Sequence, residues 1–385
     1  MRILVLTYEF PPVGGGGGRA ARDLCEKLAG RGHQVMVLTS HLKGLPRYEV
    51  ARGVEIVRVP ALRRKAFVAT FYDMGGYVLS AIWKGLSLVR SWKPVVMQIH
   101  FAVPTGPAGW LLSRLFRLPY VLTAHLGDGP GGVPEKTRGW FRWIFPFTHP
   151  IWKDAGQVVA VSEFTRGLAL KHYPVDIQVL PNGVDTRLLD PGEIQLHQPP
   201  QIIFAARFMA QKNPLQLVRV LAGLRDLPWQ CLMLGDGPLR PQVEAEIAAH
   251  NLQDRFSLPG WVTPEQVLEH YKQSDILFMP SLSEGFPLTG VQALALGLAI
   301  VATKVGGFVD LVQPGANGYT YAPDDSAGMQ AGLRAILSDP NLLLKMRLTS
   351  RDLSGQFDLD TIVDGYERIF QNLVARTALK QRKTG

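Results

Sequence analysis

Short apolar runs alternate with longer helical patterns through the first half of the chain. Residues 3–7, 34–39, 54–59, 95–99, 120–124 and 157–161 read as strands, each a compact apolar run closed by turn residues. Residues 19–31 repeat apolar positions at helical spacing, with Ala20, Leu24 and Leu28 on one side. A longer helical stretch runs from about residue 66 to residue 90. A Pro- and Gln-rich segment at 191–200 reads as a linker, and behind it the pattern restarts. Strands are predicted at 201–205, 230–234, 275–279, 299–302 and around 318–321, with helices near 214–224, 238–250, 264–273 and 289–295 between them. Thr263-Pro264-Glu265-Gln266 marks one helix start, a hydroxyl cap followed by proline where the missing N–H does no harm. Strands alternating with helices call for right-handed crossovers and two mostly parallel, doubly wound α/β sheets. Such sheets bind ligands at the carboxyl ends of their strands.

Composition agrees with two domains. The 385 residues exceed what one core normally supports, and 46% hydrophobic with 19% charged residues excludes a largely disordered chain. Cys25 and Cys231 stand in apolar runs, so both read as core residues of a reducing compartment and not as a disulfide. Met1 leads straight into the first strand without a basic-then-apolar leader, and no uncharged apolar run reaches membrane-spanning length. A soluble, cytoplasmic protein is expected. The net charge of +9 is uneven: residues 1–190 hold 24 Lys and Arg against 13 Asp and Glu, while residues 191–385 hold 17 against 19. No DNA or RNA signature accompanies the basic half, so an anionic substrate or an anionic membrane surface fits it better than nucleic acid.

Three segments carry candidate chemistry at predicted strand ends. The run Gly14-Gly15-Gly16-Gly17-Gly18 follows the first strand and opens the first helix. There the backbone can approach a phosphate and the helix terminus offers free N–H groups, although a flexible turn has the same composition. It lacks the Gly-Lys-Ser/Thr of a Walker loop, and Thr39-Ser40-His41 stands where a dinucleotide fold would place an acid. Arg207 and Lys212 follow a strand and precede a helix, where two cations can clamp a diphosphate or remain solvated surface. Glu284-Gly285 lies between a strand and an apolar helix, able to bind sugar hydroxyls or merely to cap the helix. The run 134–153 mixes Trp140, Phe141, Trp143, Phe145, Phe147 and Trp152 with Lys136, Arg138, Arg142 and Lys153. That mixture suits a membrane interface or the packing beneath an acceptor site, and Arg63-Arg64-Lys65 beside Phe67 has the same two readings.

Taken together, these segments resemble the retaining glycosyltransferases of family 4. The pattern adds Gly32-His33, Thr123-Ala124-His125, Val161-Ser162-Glu163, Pro181-Asn182-Gly183-Val184-Asp185, Gly235-Asp236-Gly237-Pro238, Ser283-Glu284-Gly285-Phe286, Ala302-Thr303-Lys304-Val305-Gly306-Gly307 and Asn317-Gly318, in order over nearly the whole chain. The resemblance implies a GT-B fold, two Rossmann-like domains facing a central cleft. The first, acceptor-side domain would span 1–190 and the nucleotide-sugar domain 191–356, with a helix at about 357–385 returning to the first. Arg207 and Lys212 match the pair that neutralises the diphosphate, Glu284 the acid that meets the donor sugar, and His125 a histidine near the reacting sugar. Gly285, Phe286, Pro287 and Leu288 would offer backbone groups to sugar and phosphate. Gly15 and Gly16 match a glycine pair near donor phosphate and acceptor, and Gly260, Trp261 and Val262 would pass the nucleobase. One departure stands out: Gln292 occupies the position of the motif's second glutamate, which accepts from the ribose hydroxyls. Val309-Asp310 replaces the usual Pro-Glu and keeps the acid.

The resemblance implies a hexosyltransferase that uses a nucleotide diphosphate sugar as donor, needs no cofactor or metal, and keeps the anomeric configuration. A glycan or lipid-linked acceptor and peripheral attachment to the inner membrane face are further expectations. The alternative is a non-catalytic sugar-nucleotide-binding relative or partner subunit, for which Gln292 is the argument.

Overall fold

The computed structural model describes residues 1–66, 69–132 and 141–384, with the side chains of Phe141, Arg142 and 380–384 excepted. It comprises two compact units, Met1–Asn182 with Leu359–Gly385, and Gly183–Asp358.

In the first unit, apolar runs form β1 (Arg2–Thr7), β2 (Gln34–Ser40), β3 (Tyr48–Ala51), β4 (Val54–Val59), β5 (Val96–His100), β6 (Tyr120–Ala124), β7 (Gln157–Ala160) and β8 (Ile177–Val179). Their order is β3-β4-β2-β1-β5-β6-β7-β8, parallel except for β3 against β4. The chain fills one side of β1 first and then the other, so the order reverses between β1 and β5. The central strands are apolar at nearly every position because helices cover both faces. Helices Phe71–Trp92, Gly106–Phe116 and Phe141–Lys153 cover one face through Tyr77, Ala81, Leu112, Ile151 and Trp152. Helices Gly16–Gly30 and Leu359–Thr384 cover the other, through Leu24, Leu28, Ile362, Val363 and Phe370. Polar contacts fasten the C-terminal helix there: Lys27 and Arg31 reach Asp360 at 3.0 Å each, and His33 reaches Glu367 at 2.7 Å.

The second unit restarts with β9 (Gln201–Ala205), β10 (Gln230–Leu234), β11 (Phe256–Gly260), β12 (Ile276–Met279), β13 (Ala299–Thr303) and β14 (Gly318–Tyr321). Their order β11-β10-β9-β12-β13-β14, parallel throughout, reverses between β9 and β12. Thr263 caps the Pro264–Lys272 helix through a reciprocal bond with Gln266. Cys25 and Cys231 are both free and buried, and burial pushes both thiols far up from their usual range.

The division falls at Asn182/Gly183, ahead of the boundary expected at 190/191. The segment read as a linker is fastened into the second unit. Arg347 donates to the Gln195 carbonyl at 2.8 Å, His197 meets Asp275 at 3.2 Å, and Ile194 is buried. Upstream of it, the Thr186 hydroxyl and backbone N–H both donate to the Asp358 carboxylate, and Val184 bridges Asp358. The second boundary falls at Asp358/Leu359, close to the 356/357 expected. The elements not foreseen include β3, β8, β11 and the helices Gly106–Phe116, Phe141–Lys153, Glu163–Leu170, Phe308–Leu311, Ser326–Ser338 and Pro340–Ser354.

Candidate functional site

The glycine-rich segment sits where the first sheet reverses. A Cβ on Gly14, whose φ is 98°, would strike Glu9, and the Glu9 carboxylate accepts the Gly15 N–H at 2.9 Å. Gly15 and Gly16 face open space, so side chains there would meet nothing within 4 Å. Of the N–H groups expected to greet a phosphate, that of Gly15 is therefore already taken by a carboxylate of the chain itself. Gly17 touches the neighbouring strand ends: a Cβ would come within 2.8 Å of Phe101 Cζ and 3.4 Å of His125 Cε1.

His125 follows β6 and is buried at that edge. Its backbone N–H donates to Asp128 at 2.7 Å, its ring stacks on Phe101, and its Nε2 lies 3.3 Å from Nδ1 of His100. Burial disfavours the charged ring and pushes its pKa down to about 4, so the imidazole is neutral near pH 7. His100 and Phe101, which sequence reasoning passed over, thus belong to the same cluster. Their signal was available: they end β5, the strand beside β1 across the reversal.

In the second unit the loop after β9 is shaped by two glycine turns. Gly235 (φ 126°) and Gly237 (φ 157°) lie so close to the Ala206 and Phe208 carbonyls that a Cβ would approach within 2.1 and 2.5 Å. Phe208 N–H donates to the Asp236 carbonyl at 2.9 Å, and Gly235 N–H to that of Gly260 at 2.9 Å. These contacts hold Arg207 at the strand end, half-buried, with no hydrogen bond or ion pair to its guanidinium among the described residues. Lys212 Nζ meets Glu284 Oε1 at 2.6 Å. Main-chain and amide bonds reinforce that pairing across the reversal, from Leu282 N–H to the Gln211 carbonyl at 2.7 Å and from Gln211 to the Ser283 carbonyl at 2.9 Å.

Glu284 is itself buried, and Gly306 (φ 56°) backs it closely enough that a Cβ would overlap the Glu284 carbonyl. Gly307 N–H donates to the Gly285 carbonyl at 2.6 Å, and Phe286 packs against Phe357. Pro287 precedes the Leu288–Ala295 helix, so Gly285 to Leu288 lead into a helix N-terminus. Gln292 lies one turn into that helix, half-buried, with no hydrogen bond to its side-chain amide among the described residues. Trp261 is exposed and Val262 half-buried beyond β11. Among the described residues no three His, Cys, Asp or Glu side chains are grouped to hold a metal ion.

Of the aromatic and basic run, residues 134–140, Trp140 included, lie outside the described residues, as does Phe67. What is described divides: Trp152 is buried against Tyr173, whereas Trp143 and Phe147 are exposed on the same helix. No helix among the described residues is long and apolar enough to cross a membrane.

Residues 14–188 match the family model "Glycosyltransferase Family 4", and residues 190–352 match "Glycosyl transferases group 1". The chain belongs to this glycosyltransferase family. It is a transferase with the GT-B fold of two parallel-sheet α/β domains. A glycogen synthase of Mycobacterium tuberculosis is 27% identical over 397 aligned positions, covering 96% of this chain and 94% of that protein. A sucrose-phosphate synthase from Thermosynechococcus elongatus has a similar fold, with a TM-score of 0.85 at 20% identity over 97% of this chain and 99% of its own. HepE of Anabaena, in a complex with UDP-glucose, superposes with a TM-score of 0.73 at 16% identity over 97% of this chain and 100% of its own.

Proposed function

We propose that this glycosyltransferase moves a hexose from a nucleoside-diphosphate sugar to an acceptor hydroxyl, with retention at the anomeric carbon and without an obligatory metal ion. The observation that carries the reading is the cation pair Arg207 and Lys212 beside the buried acid Glu284 where the second sheet reverses. Among the described residues no hydrogen bond or ion pair commits the Arg207 guanidinium, and Lys212 is paired to Glu284. Two cations suit a diphosphate, Arg as a fork and Lys as a point charge, and they offset the charge that grows as the diphosphate leaves. Glu284, acceptor-only when ionised, would take hydrogen bonds from the sugar hydroxyls, and the Leu288–Ala295 helix N-terminus would face the phosphates. Gly260, Trp261 and Val262 would flank the base and Gln292 the ribose. The complex of HepE with UDP-glucose supports a nucleotide sugar as the donor class.

In the reaction the acceptor oxygen forms a bond to the anomeric carbon on the face the diphosphate leaves. The carbon–oxygen bond to phosphate breaks with its electron pair going to the nucleoside diphosphate, whose oxygen takes the acceptor's proton. No nucleophile of the chain is required. In the first unit, neutral His125 and the open Gly15-Gly16 edge would meet the reacting sugar and the acceptor.

The acceptor would be lipid-linked or part of an anionic glycan, used at an anionic membrane surface. Support comes from the first unit. Between Asp73 and Asp128 the sequence has no acid but carries Lys84, Arg90, Lys93, Arg114 and Arg117. The three helices covering one sheet face expose Tyr72, Leu79, Trp83, Leu115, Trp143 and Phe147. Arg114 is paired to Asp154 at 2.8 Å, and the exposed aromatics with the remaining cations match an interfacial surface.

The test is incubation with a panel of nucleotide sugars in EDTA, following free nucleoside diphosphate. Release from at least one donor is expected. No release from any donor, with nucleotide binding intact, would favour a non-catalytic relative, and release only on adding manganese or magnesium would remove metal independence.

A further inference from the structure

The first unit carries a second concavity. A groove of about 770 Å³ lies between the Phe71–Trp92 helix and the β3–β4 edge of the sheet, within the about 300–1,000 Å³ of small-molecule sites. None of its lining residues belongs to the glycine-rich segment, the His125 cluster or the Arg207–Glu284 site. Alternation along β4 turns Val57 and Val59 toward the face that the helix covers, where they share a core cluster with Tyr77 and Ala81. With Met36 of β2 and Leu88 of the helix they give the groove an aliphatic floor. The helix adds Ser80, Trp83, Lys84 and Ser87, which recur at helical spacing and therefore share one face. Tyr48 pairs with Val57 across the β3–β4 ladder, so both side chains stand on the same side of the sheet. Trp83 keeps 76% of its surface exposed and Tyr48 55%, so two wet aromatics flank the floor.

The charges are one-sided. Arg47, Arg58 and Lys84 line the groove, and no acid does. Arg58 is spent inside the fold, donating to Glu49 at 2.6 Å and to the Pro46 carbonyl at 3.2 Å. The side chains of Arg47 and Lys84 have no hydrogen bond or ion pair among the described residues. Both acids of the β3–β4 pair are already committed, Glu49 to Arg58 and Glu55 to the Tyr48 hydroxyl at 3.1 Å. A ligand would therefore meet two cations with the Ser80 and Ser87 hydroxyls, a set that suits a phosphate. The floor offers no amide or carboxylate to read sugar hydroxyls, and its aliphatic and aromatic surface suits a hydrocarbon chain.

We propose that this groove binds one anionic lipid, a phosphate carried on an acyl or prenyl chain. The chain lies over Met36, Val57, Val59 and Leu88 beside Trp83 and Tyr48, and the phosphate meets Arg47 and Lys84. The inference deepens the membrane reading above and rests on it for the source of the lipid. It adds a site for a single molecule to what was only a surface.

Titration calorimetry of the full chain with alkyl phosphates, kept below the concentrations at which they form micelles, tests the site without a bilayer. Decyl phosphate should bind one-to-one. Octyl phosphate, two CH2 groups shorter, should bind about fifteenfold more weakly, because each CH2 removed from water is worth about fourfold in affinity. Decyl maltoside lacks the charge and inorganic phosphate lacks the chain, and each should bind at least about tenfold more weakly than decyl phosphate. Reversing both exposed cations, Arg47→Glu with Lys84→Glu, should weaken decyl phosphate by about tenfold or more at an unchanged unfolding temperature. Ser87→Trp, at another exposed position, should do the same by filling the groove. No saturable binding of decyl phosphate would overturn the inference. So would equal binding of decyl maltoside, which needs only an apolar surface, or of inorganic phosphate, which needs only an anion site. Wild-type affinity in both the charge-reversed and the groove-filled protein would place the ligand elsewhere and overturn it too. The membrane reading fails separately: decyl phosphate binding without sedimentation on anionic liposomes would end that reading and leave the groove. Sedimentation without decyl phosphate binding would do the reverse.

Discussion

Arg207 and Lys212 carry the same charge into the same loop, yet the structure predicts different consequences for removing them. Arg207→Ala deletes a guanidinium with no hydrogen bond or ion pair among the described residues, so no group of the folded chain loses a counter-charge. Its effect on stability should stay within about 0.5 kcal/mol, as for substitutions that break no internal contact. Its effect on turnover should be large, because one preorganised donor on a developing oxyanion is worth about 2.7–4 kcal/mol, or about a hundred- to a thousandfold in rate. Lys212→Ala should cost a similar factor in rate and also strand Glu284, which keeps only 6% of its surface exposed and loses a partner at 2.6 Å. An unpaired buried acceptor costs about 1–3 kcal/mol, and the pair is open enough to water on the lysine side to remain below the value for a sealed ion pair. Nucleoside diphosphate release measures the rates and urea unfolding the stabilities. Near-wild-type turnover in Arg207→Ala would refute the clamp. Equal destabilisation by the two variants would refute the distinction between a free and a paired cation.

Three further outcomes follow from the same geometry. Gln292→Glu should tighten nucleoside diphosphate binding by about 0.5–1.5 kcal/mol in titration calorimetry if the position faces ribose, and unchanged affinity would show that it does not. Gly306→Ala should destabilise the second unit by more than about 1 kcal/mol and lower turnover, because the methyl group has only the Glu284 carbonyl to displace. The protein should sediment with anionic but not neutral liposomes, less so as salt rises, and a protein left in the supernatant at low salt would end the membrane reading.

The strands that centre each sheet were legible because continuous apolar runs are demanded where helices cover both faces. Residues 120–124, 201–205 and 230–234 form strands at the limits read from sequence. Strand β3 escaped because Tyr48–Ala51 is an edge with no fully buried position, paired back through Arg52 and Gly53, both at positive φ. Strand β11 carries Pro259 and alternates half-buried with exposed, so its end read as a turn. The Gly106–Phe116 helix begins with Gly and Pro, residues that more often interrupt a helix, although proline in a first turn is tolerated. The boundary at 182/183 was hidden because Pro-rich composition marks irregular backbone, and such backbone can be pinned by a buried pair such as Arg347 with Asp275. In the site, residue types were readable but partnerships were not. Lys212 and Glu284 are 72 positions apart and meet only because β9 and β12 are neighbours. The pairing of His100 with His125 likewise depends on β5 lying beside β6.

The central claim is retaining, metal-independent transfer from a nucleotide sugar, and one proton NMR time course tests it directly. The reaction is run in EDTA with an α-linked nucleotide sugar that the enzyme turns over, and the anomeric coupling of the first-formed product is recorded beside the released nucleoside diphosphate. The account predicts an α-linked product appearing one-for-one with the diphosphate. A β-linked first product, or a reaction that proceeds only after a divalent metal is restored, would contradict it.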